Sequence, residues 1–195
     1  MYNLIKLPRV FDKDVYSFDK SEAKEYFDWF KNVKNERLDI LKIYVQLEYP
    51  NWNLDYDRES LIDLYSWFAK NIYLKKINIE EVKRMKVQIN KTPPFSNIIN
   101  IPEYIFSENT VSICFDIGVY LGETLIRNCE GVKWGQKISS KNYIDYAYPL
   151  LISKNYKVPI NPRRAAESLA HDILNNSPKK ENFINLFDDL ASKFN

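Results

Sequence analysis

The sequence is poor in the residues that form common cofactor and metal sites. Its 195 residues include 4 glycines, 2 cysteines and 1 histidine. It contains no P-loop, Rossmann glycine pattern, kinase motif set or EF-hand loop. One histidine and two separated cysteines do not provide the ligand spacing of structural zinc. No apolar run reaches the roughly 18 residues of a membrane-spanning helix. The sequence therefore predicts no cofactor, no metal site and no membrane span.

A strong net charge is also missing. Lys and Arg number 28 and Asp and Glu 26, which gives +2 and no overall attraction to nucleic acid or an anionic membrane. The basic cluster Lys83, Arg84 and Lys86 follows Glu80 and Glu81, which is typical of a solvated helix face. Nucleic-acid binding is therefore not the expected function. An accessory protein that binds nucleic acid through this cluster remains an alternative.

The two cysteines are not expected to form a disulfide. Cys114 and Cys129 lie on one predicted helix, about 22 Å apart at 1.5 Å per residue, whereas bridged Cα atoms lie within about 7 Å. Free thiols are typical of a reducing compartment. The N-terminal residues contain no apolar run long enough for a signal peptide. We therefore expect a cytoplasmic protein.

The most informative feature that is present is the stretch from Val111 to Trp134. Its apolar side chains cover most of a helix circumference and leave a narrow polar strip. The strip consists of Ser112, Asp116, Tyr120, Glu123 and Arg127. Such a helix is predicted to lie buried in the centre of the domain, and Gly118 and Gly122 would let another backbone approach it closely.

Helix starts are predicted from capping residues and prolines. These signals are Asp19 with Glu22, Asp57, Asn78 with Glu81, Ser107, Asn161 with Pro162, and Ser177 with Pro178. Helical runs are predicted over 23–33 and 36–47, and Thr92 to Phe95 is predicted to break regular structure. Residues 1–18 alternate as in a strand, and 132–138 and 143–152 are predicted strands. The predicted fold is one mostly helical α+β domain over 1–195, with a central buried helix and a small antiparallel sheet in the C-terminal half.

Two acidic residues of the central helix suggest an enzyme as one alternative. Asp116 and Glu123 share a helix face about 10 Å apart, near the upper end of the separation in inverting glycoside hydrolases. Glu123 can instead pair with Arg127 at i+4 along a partly covered polar strip. A hydrolase that uses Asp116 and Glu123 in a cleft stays an alternative. It is not the main prediction, because catalysis would need strongly shifted pKa values for these carboxyl groups. We predict no catalytic residue.

His171 lies near Ser168 and Asp172, but neighbouring residues of one helix do not form a catalytic triad. We expect a surface histidine.

Several segments resemble a family of bacterial proteins. They are 25–30, Arg37, 52–56, 60–68, 116–123, Asn128 and 132–135. The signature is D-I-G-V-Y-L-G-E at 116–123, and the resemblance spans about residues 25 to 170. Some members of that family resemble immunity proteins of polymorphic-toxin systems. The resemblance therefore implies a cytosolic protein that binds and neutralises a cognate toxin domain and needs no active site.

An interface of this kind depends on a few aromatic or charged anchors. We expect aromatic anchors mainly in irregular segments, where side chains are not already committed to the core. The predicted binding residues are Trp52, Tyr56, Tyr104, Asp116, Tyr120, Glu123, Tyr146 and Tyr148. The alternative interpretation is that the aromatic rings among them fill a satellite core under long loops.

Overall fold

The computed structural model describes residues 1–8, 11, 15–90, 100–175 and 178–194, with only the backbone described for 88–90. These residues form six α-helices, two pairs of short strands and a 3₁₀ turn at Val15–Ser17. In chain order the elements are α1 (Lys20–Gln46), α2 (Ser60–Lys70), β1 (Leu74–Lys76), α3 (Ile79–Asn90), β2 (Tyr104–Phe106), α4 (Glu108–Asn128), β3 (Lys133–Gln136), β4 (Pro149–Ile152), α5 (Pro162–Asn175) and α6 (Asn182–Ser192). The predicted mostly helical α+β class is confirmed.

Helix α4 lies in the centre of the fold, as predicted. Nearly all its side chains from Thr110 to Leu125 are buried, and it packs against α1, α5 and α6. The Ser107 hydroxyl accepts a hydrogen bond from the amide of Thr110 and caps the helix, also as predicted. A Cβ atom added at Gly118 would lie 2.7 Å from the Cα of Arg163, so the backbone of α5 does approach closely there.

The predicted close approach of another backbone at Gly122 was wrong. A Cβ atom there would overlap the indole ring of Trp134, so a side chain and not a backbone occupies that space. The glycine accommodates a large aromatic ring that arrives from β3.

Helix α1 is one continuous helix, not the two predicted runs. The capping box is confirmed, because the Asp19 carboxylate accepts from the amide of Glu22 and the Glu22 carboxylate accepts from the amide of Asp19. Lys34 and Asn35 separated the two apolar patterns, but neither residue breaks a helix. Lys34 instead reaches Glu123 of α4.

The predicted starts of two helices were wrong. Asp57 is not the cap of α2, because a turn follows it and the helix begins at Ser60, whose hydroxyl donates to the Asp57 carbonyl at 2.6 Å. Helix α6 begins at Asn182 and not at Pro178, while Ser177 lies outside the described residues. Two lysines follow Pro178, and positive charge disfavours a helix N-terminus.

Two other starts are confirmed. The amide of Glu81 donates to Asn78 Oδ1 at 2.9 Å, and the Glu81 carboxylate accepts from the amide of Asn78 at 2.9 Å. Helix α5 begins at Pro162, with Asn161 Oδ1 accepting from the amide of Arg164 at 3.2 Å. The predicted break from Thr92 to Phe95 lies outside the described residues.

The predicted C-terminal sheet is confirmed but shorter than expected. Strands β3 and β4 pair antiparallel, with Lys133 opposite Ile152 and Gln136 opposite Pro149. Residues 143–148 form turns, because the amides of Tyr146 and Tyr148 donate back to Tyr143 and Asp145. Local hydrogen bonds thus replace the predicted first half of the strand.

The pairing near the N-terminus differs from the prediction. The described residues of 1–18 contain no strand. Tyr2 packs against Tyr44 of α1 and donates to Asp116 of α4, and the amide of Ile5 donates to Ser112. A second antiparallel pair was missed, in which β1 and β2 place Leu74 opposite Phe106 and Lys76 opposite Tyr104.

Among the described residues, none of the helices combines the length and the apolarity that crossing a bilayer requires.

Candidate functional site

Asp116 is fully buried in an ion pair that joins three parts of the chain. Its Oδ1 accepts from Arg37 Nε at 2.8 Å and its Oδ2 from Arg37 Nη2 at 2.6 Å. The Tyr2 hydroxyl also donates to Oδ2. Arg37 Nη2 is 2.9 Å from the carbonyl of Asn3, and Arg37 itself is 3% exposed. This carboxylate therefore fastens α1 and the N-terminal segment to α4.

The surroundings of Asp116 have opposing effects on its ionisation. Burial raises the pKa of Asp116 to about 6, against the opposing effects of the Arg37 guanidinium and the Tyr2 hydroxyl. Burial and the adjacent carboxylate raise the pKa of Tyr2 well above its ordinary value. Asp116 is thus ionised at neutral pH and Tyr2 keeps its proton, which is the arrangement that the observed hydrogen bonds require.

Glu123 has its own partners, about two helical turns beyond Asp116 on α4. Its Oε1 accepts from Lys34 Nζ at 2.6 Å and from Trp134 Nε1 at 2.9 Å, and its side chain is 12% exposed. The predicted i+4 pair with Arg127 does not form. The Arg127 guanidinium instead lies 3.6 Å from the ring centroid of Tyr56. Tertiary partners outcompete the neighbour on the same helix, because they meet Glu123 where water is largely excluded.

Tyr120 organises the loop between α1 and α2. Its hydroxyl lies 2.6 Å from Ser60 Oγ and accepts from the amide of Tyr56 at 3.2 Å. Its ring packs against the rings of Trp52 and Tyr56, with centroids at 5.3 and 5.2 Å. Burial raises the pKa of Tyr120, so the hydroxyl stays protonated. This residue fixes the loop and exposes none of its own ring.

Tyr56 has a backbone conformation that non-glycine residues rarely adopt. Its φ is 62°, and such residues cost on the order of 1–3 kcal/mol. The ring lies between Tyr120 and Arg127, and the carbonyl accepts from Asn128 Nδ2 at 3.0 Å. These contacts hold the strained residue in place.

The predicted binding residues separate by exposure. Trp52, Tyr120, Tyr146 and Asp116 are buried, whereas Tyr56, Glu123 and Tyr148 are partly exposed. The Trp52 indole donates to the Ser60 carbonyl, and the Tyr146 hydroxyl to the Phe18 carbonyl. For Trp52 and Tyr146 the alternative interpretation, rings that fill a core, fits the structure. Tyr104 is the exposed member of the eight, at 50%.

Tyr104 belongs to a region that we call the arm, which consists of the described residues 72–90 and 100–106. It contains β1, α3 and β2. Its exposed large apolar side chains are Tyr73, Leu74, Ile79, Val87 and Tyr104. Sequence reasoning singled out Tyr104 but missed the other four, because strands of three residues are too short to show an alternating pattern.

The arm also carries exposed cations. Lys75 is paired with Glu81 at 2.7 Å and with Glu108. Within the part of the chain that the structure describes, Lys83, Arg84 and Lys86 are exposed on α3 and form no ion pair. Exposed apolar and cationic side chains therefore occur together on the arm.

The remaining candidate groups have structural surroundings. His171 is exposed, as predicted, and its ring centroid lies 4.4 Å from that of Phe106. Cys114 and Cys129 are free and buried, and burial raises the pKa of the Cys114 thiol to about 12. In the described ranges, no three His, Cys, Asp or Glu side chains are grouped so that they could hold a metal ion.

The residues that carry the family resemblance converge on α4. Arg37 binds Asp116, Tyr56 stacks on Tyr120, and Trp134 fills the space beside Gly122. Comparisons with protein-family models, curated proteins and solved structures find no match for this chain. The geometry therefore accounts for these residues as parts of the fold.

Proposed function

We propose that this chain is a cytosolic, immunity-type protein that binds a cognate bacterial toxin domain and neutralises it by direct contact. The observation that carries the proposal is the arm, a short region in which Tyr104 and four further large apolar side chains are each exposed. Clusters of exposed apolar residues mark interaction sites in soluble proteins. Aromatic side chains are also frequent among the residues that dominate binding energy.

The internal hydrogen bonds of the two carboxylates on α4 argue against turnover at these residues. Asp116 accepts hydrogen bonds from Arg37 and Tyr2, and Glu123 accepts them from Lys34 and Trp134. A hydrolytic pair would need both groups free to reach one substrate bond. Glu123→Gln is the test of the hydrolase alternative: any hydrolysis of a glycan panel by the wild-type protein that this variant loses would favour an enzyme.

One observation favours a second candidate, a nucleic-acid-binding accessory protein. Lys83, Arg84 and Lys86 are exposed on the same arm as Tyr73 and Tyr104. Basic side chains beside exposed aromatic rings are typical of single-strand binding. Such binding would weaken steeply with salt, because each neutralised phosphate releases counterions.

The proposal is tested by co-expressing the chain with the C-terminal domain of the toxin encoded beside its gene. We expect rescue of growth in a sensitive host and a complex by size-exclusion chromatography at micromolar concentration. Ile79→Ser should weaken the complex, whereas the matched variant Ile43→Ser, on α1, should not; both isoleucines are exposed. Absence of both rescue and complex for the wild-type chain would contradict the proposal.

A further inference from the structure

The hydrogen-bond pattern of the β1–β2 pair determines which backbone groups face outward. The amide of Ser107 donates to the Tyr73 carbonyl, and the amide of Ile77 to the Glu103 carbonyl. In an antiparallel ladder such hydrogen-bonded pairs alternate with non-bonded pairs. With the observed register, Lys75 and Ile105 form the next bonded pair. The N–H and C=O groups of Leu74 and Lys76 therefore point away from β2.

Among the described residues, no strand pairs with this outer edge of β1. The sheet has two strands, and no hydrogen bond from the described residues reaches the outward backbone groups of Leu74 or Lys76. An edge strand with free N–H and C=O groups is a template for another strand. The opposite edge, on β2, has the outward backbone groups of Tyr104 and Phe106, whereas the exposed cation Lys76 lies on β1.

One face of the pair is also partly uncovered. Leu74, Lys76, Tyr104 and Phe106 share this face, since residues opposite each other or two apart point the same way. The ring of Phe106 packs against His171, whereas the other three side chains are exposed. Leu74 is 46% and Tyr104 50% exposed. Lys75 points to the other face, where it pairs with Glu81 of α3. An added strand would thus meet hydrogen-bonding groups at the edge and apolar side chains on one face.

The charges around this edge indicate the chemistry of the occupant. The Lys76 side chain is 71% exposed, and its pair with Glu103 spans 3.3 Å between two exposed groups, which contributes little. The exposed Lys83, Arg84 and Lys86 lie on α3, which contacts the opposite face of the pair through Glu81 and Lys75 and adds positive charge to the arm. A segment with carboxylates would be complementary to these cations.

We propose that the outer edge of β1 binds an extended segment of the toxin domain by strand addition. This inference rests on the proposed function and names its contact surface. The segment pairs with the backbone of Leu74 and Lys76, covers Leu74 and Tyr104 with apolar side chains at alternate positions, and carries at least one carboxylate toward Lys76. Strand addition obtains affinity from main-chain hydrogen bonds and specificity from alternate side chains.

The test compares two substitutions at one position. Lys76→Pro removes the outward N–H, whereas Lys76→Thr keeps it and removes only the charged side chain. Because the outward N–H takes no part in the β1–β2 ladder, we expect both variants to melt like the wild type. The Kd for the toxin domain should rise about tenfold or more in Lys76→Pro and clearly less in Lys76→Thr.

Hydrogen exchange of the wild-type complex provides a second measurement that needs no variant. The amides of Leu74 and Lys76 should become protected, while those of Lys75 and Ile105, which are already bonded, should change little. Protection of Tyr104 and Phe106 instead would overturn the assignment to β1. So would equal Kd values for the two Lys76 variants, or a single-stranded oligonucleotide that displaces the toxin domain.

These outcomes are distinct from failure of the proposed function. If the wild-type chain forms no complex, the proposed function fails. If it forms a tight complex that is insensitive to Lys76→Pro, only the strand-addition inference fails.

Discussion

Tyr120 and Tyr104 show how differently the region around α4 and the arm use the same residue type. Tyr120 is fully buried, packs between two aromatic rings and hydrogen-bonds with Ser60. Tyr104 exposes half of its surface on a strand of three residues. A buried tyrosine contributes to the stability of its own fold, whereas an exposed one retains apolar area that a partner can cover.

The basic residues follow the same division. Arg37, next to α4, is buried and makes charged hydrogen bonds with Asp116. Arg84, on the arm, is exposed and has no ion-pair partner among the described residues. The comparison teaches that polar groups around α4 are engaged within the fold, whereas the arm carries exposed aromatic and basic side chains.

The largest expected effect comes from breaking the buried ion pair. Arg37→Met leaves the Asp116 carboxylate buried without its cation, which costs about 3–5 kcal/mol. The measurement is urea denaturation followed by circular dichroism. The control is Lys70→Met, which removes an exposed pair with Glu48 and should cost at most about 1 kcal/mol.

Two further results test whether the buried Arg37–Asp116 pair matters more for stability than the exposed Lys70–Glu48 pair. In the double variant Arg37→Met with Asp116→Leu, part of the loss should be recovered, because no buried charge then remains unpaired. Equal losses for Arg37→Met and Lys70→Met would show that the buried pair does not hold α1 to α4.

A smaller effect is expected where α5 meets α4. The added methyl group of Gly118→Ala would lie 2.7 and 2.8 Å from the backbone Cα and N of Arg163, which cannot move independently. Overpacking of this kind costs about 1–3 kcal/mol. Thermal unfolding checks the prediction. A variant as stable as the wild type would show that α5 shifts freely, since alanine is intrinsically the better helix former by about 1 kcal/mol.

Gly131→Ala is a useful counterpart to that variant. Nothing lies within 4 Å of its added Cβ atom, but the φ of Gly131 is 73°. Its cost is therefore backbone strain alone, about 1–2 kcal/mol.

The smallest effect on stability is expected on the arm. Leu74→Ala should change the free energy of unfolding by no more than about 0.5 kcal/mol, because the side chain is already 46% exposed. The matched variant Leu121→Ala, at a fully buried leucine of α4, should cost about 2–5 kcal/mol. A comparable loss of stability in Leu74→Ala would mean that the arm is part of the core, and it would contradict the difference between the arm and the region around α4.

Much of the fold around α4 could be predicted from local patterns. Ser107, Asp19 and Asn78 cap helices where the sequence indicated, since a cap depends on residues within one turn. The break predicted between Val33 and Glu36 was wrong, because the polar residues there belong to a continuous helix whose Lys34 has a distant partner.

The candidate site was less predictable. Exposure of Tyr104 and burial of Trp52 depend on which segments pack above them, and a single sequence contains no period that reports it. The short β1–β2 pair was missed because Leu74 and Phe106 are 32 positions apart along the chain. Pairing between such distant segments is decided by tertiary packing, not by local propensity.

By itself the sequence determined the helix-rich class, the central apolar helix and the close approach at Gly118, because these depend on composition, periodicity and the absence of a side chain. Only the tertiary structure decided which partners the polar strip of α4 receives. Asp116 and Glu123 lie on the same face of α4 when only the sequence is considered. In the structure Asp116 pairs with Arg37 in full burial, whereas Glu123 pairs with Lys34 where its side chain is partly exposed. The physical reason is that a charge gains its structural role from a partner and from exclusion of solvent, and both are supplied by segments distant along the chain.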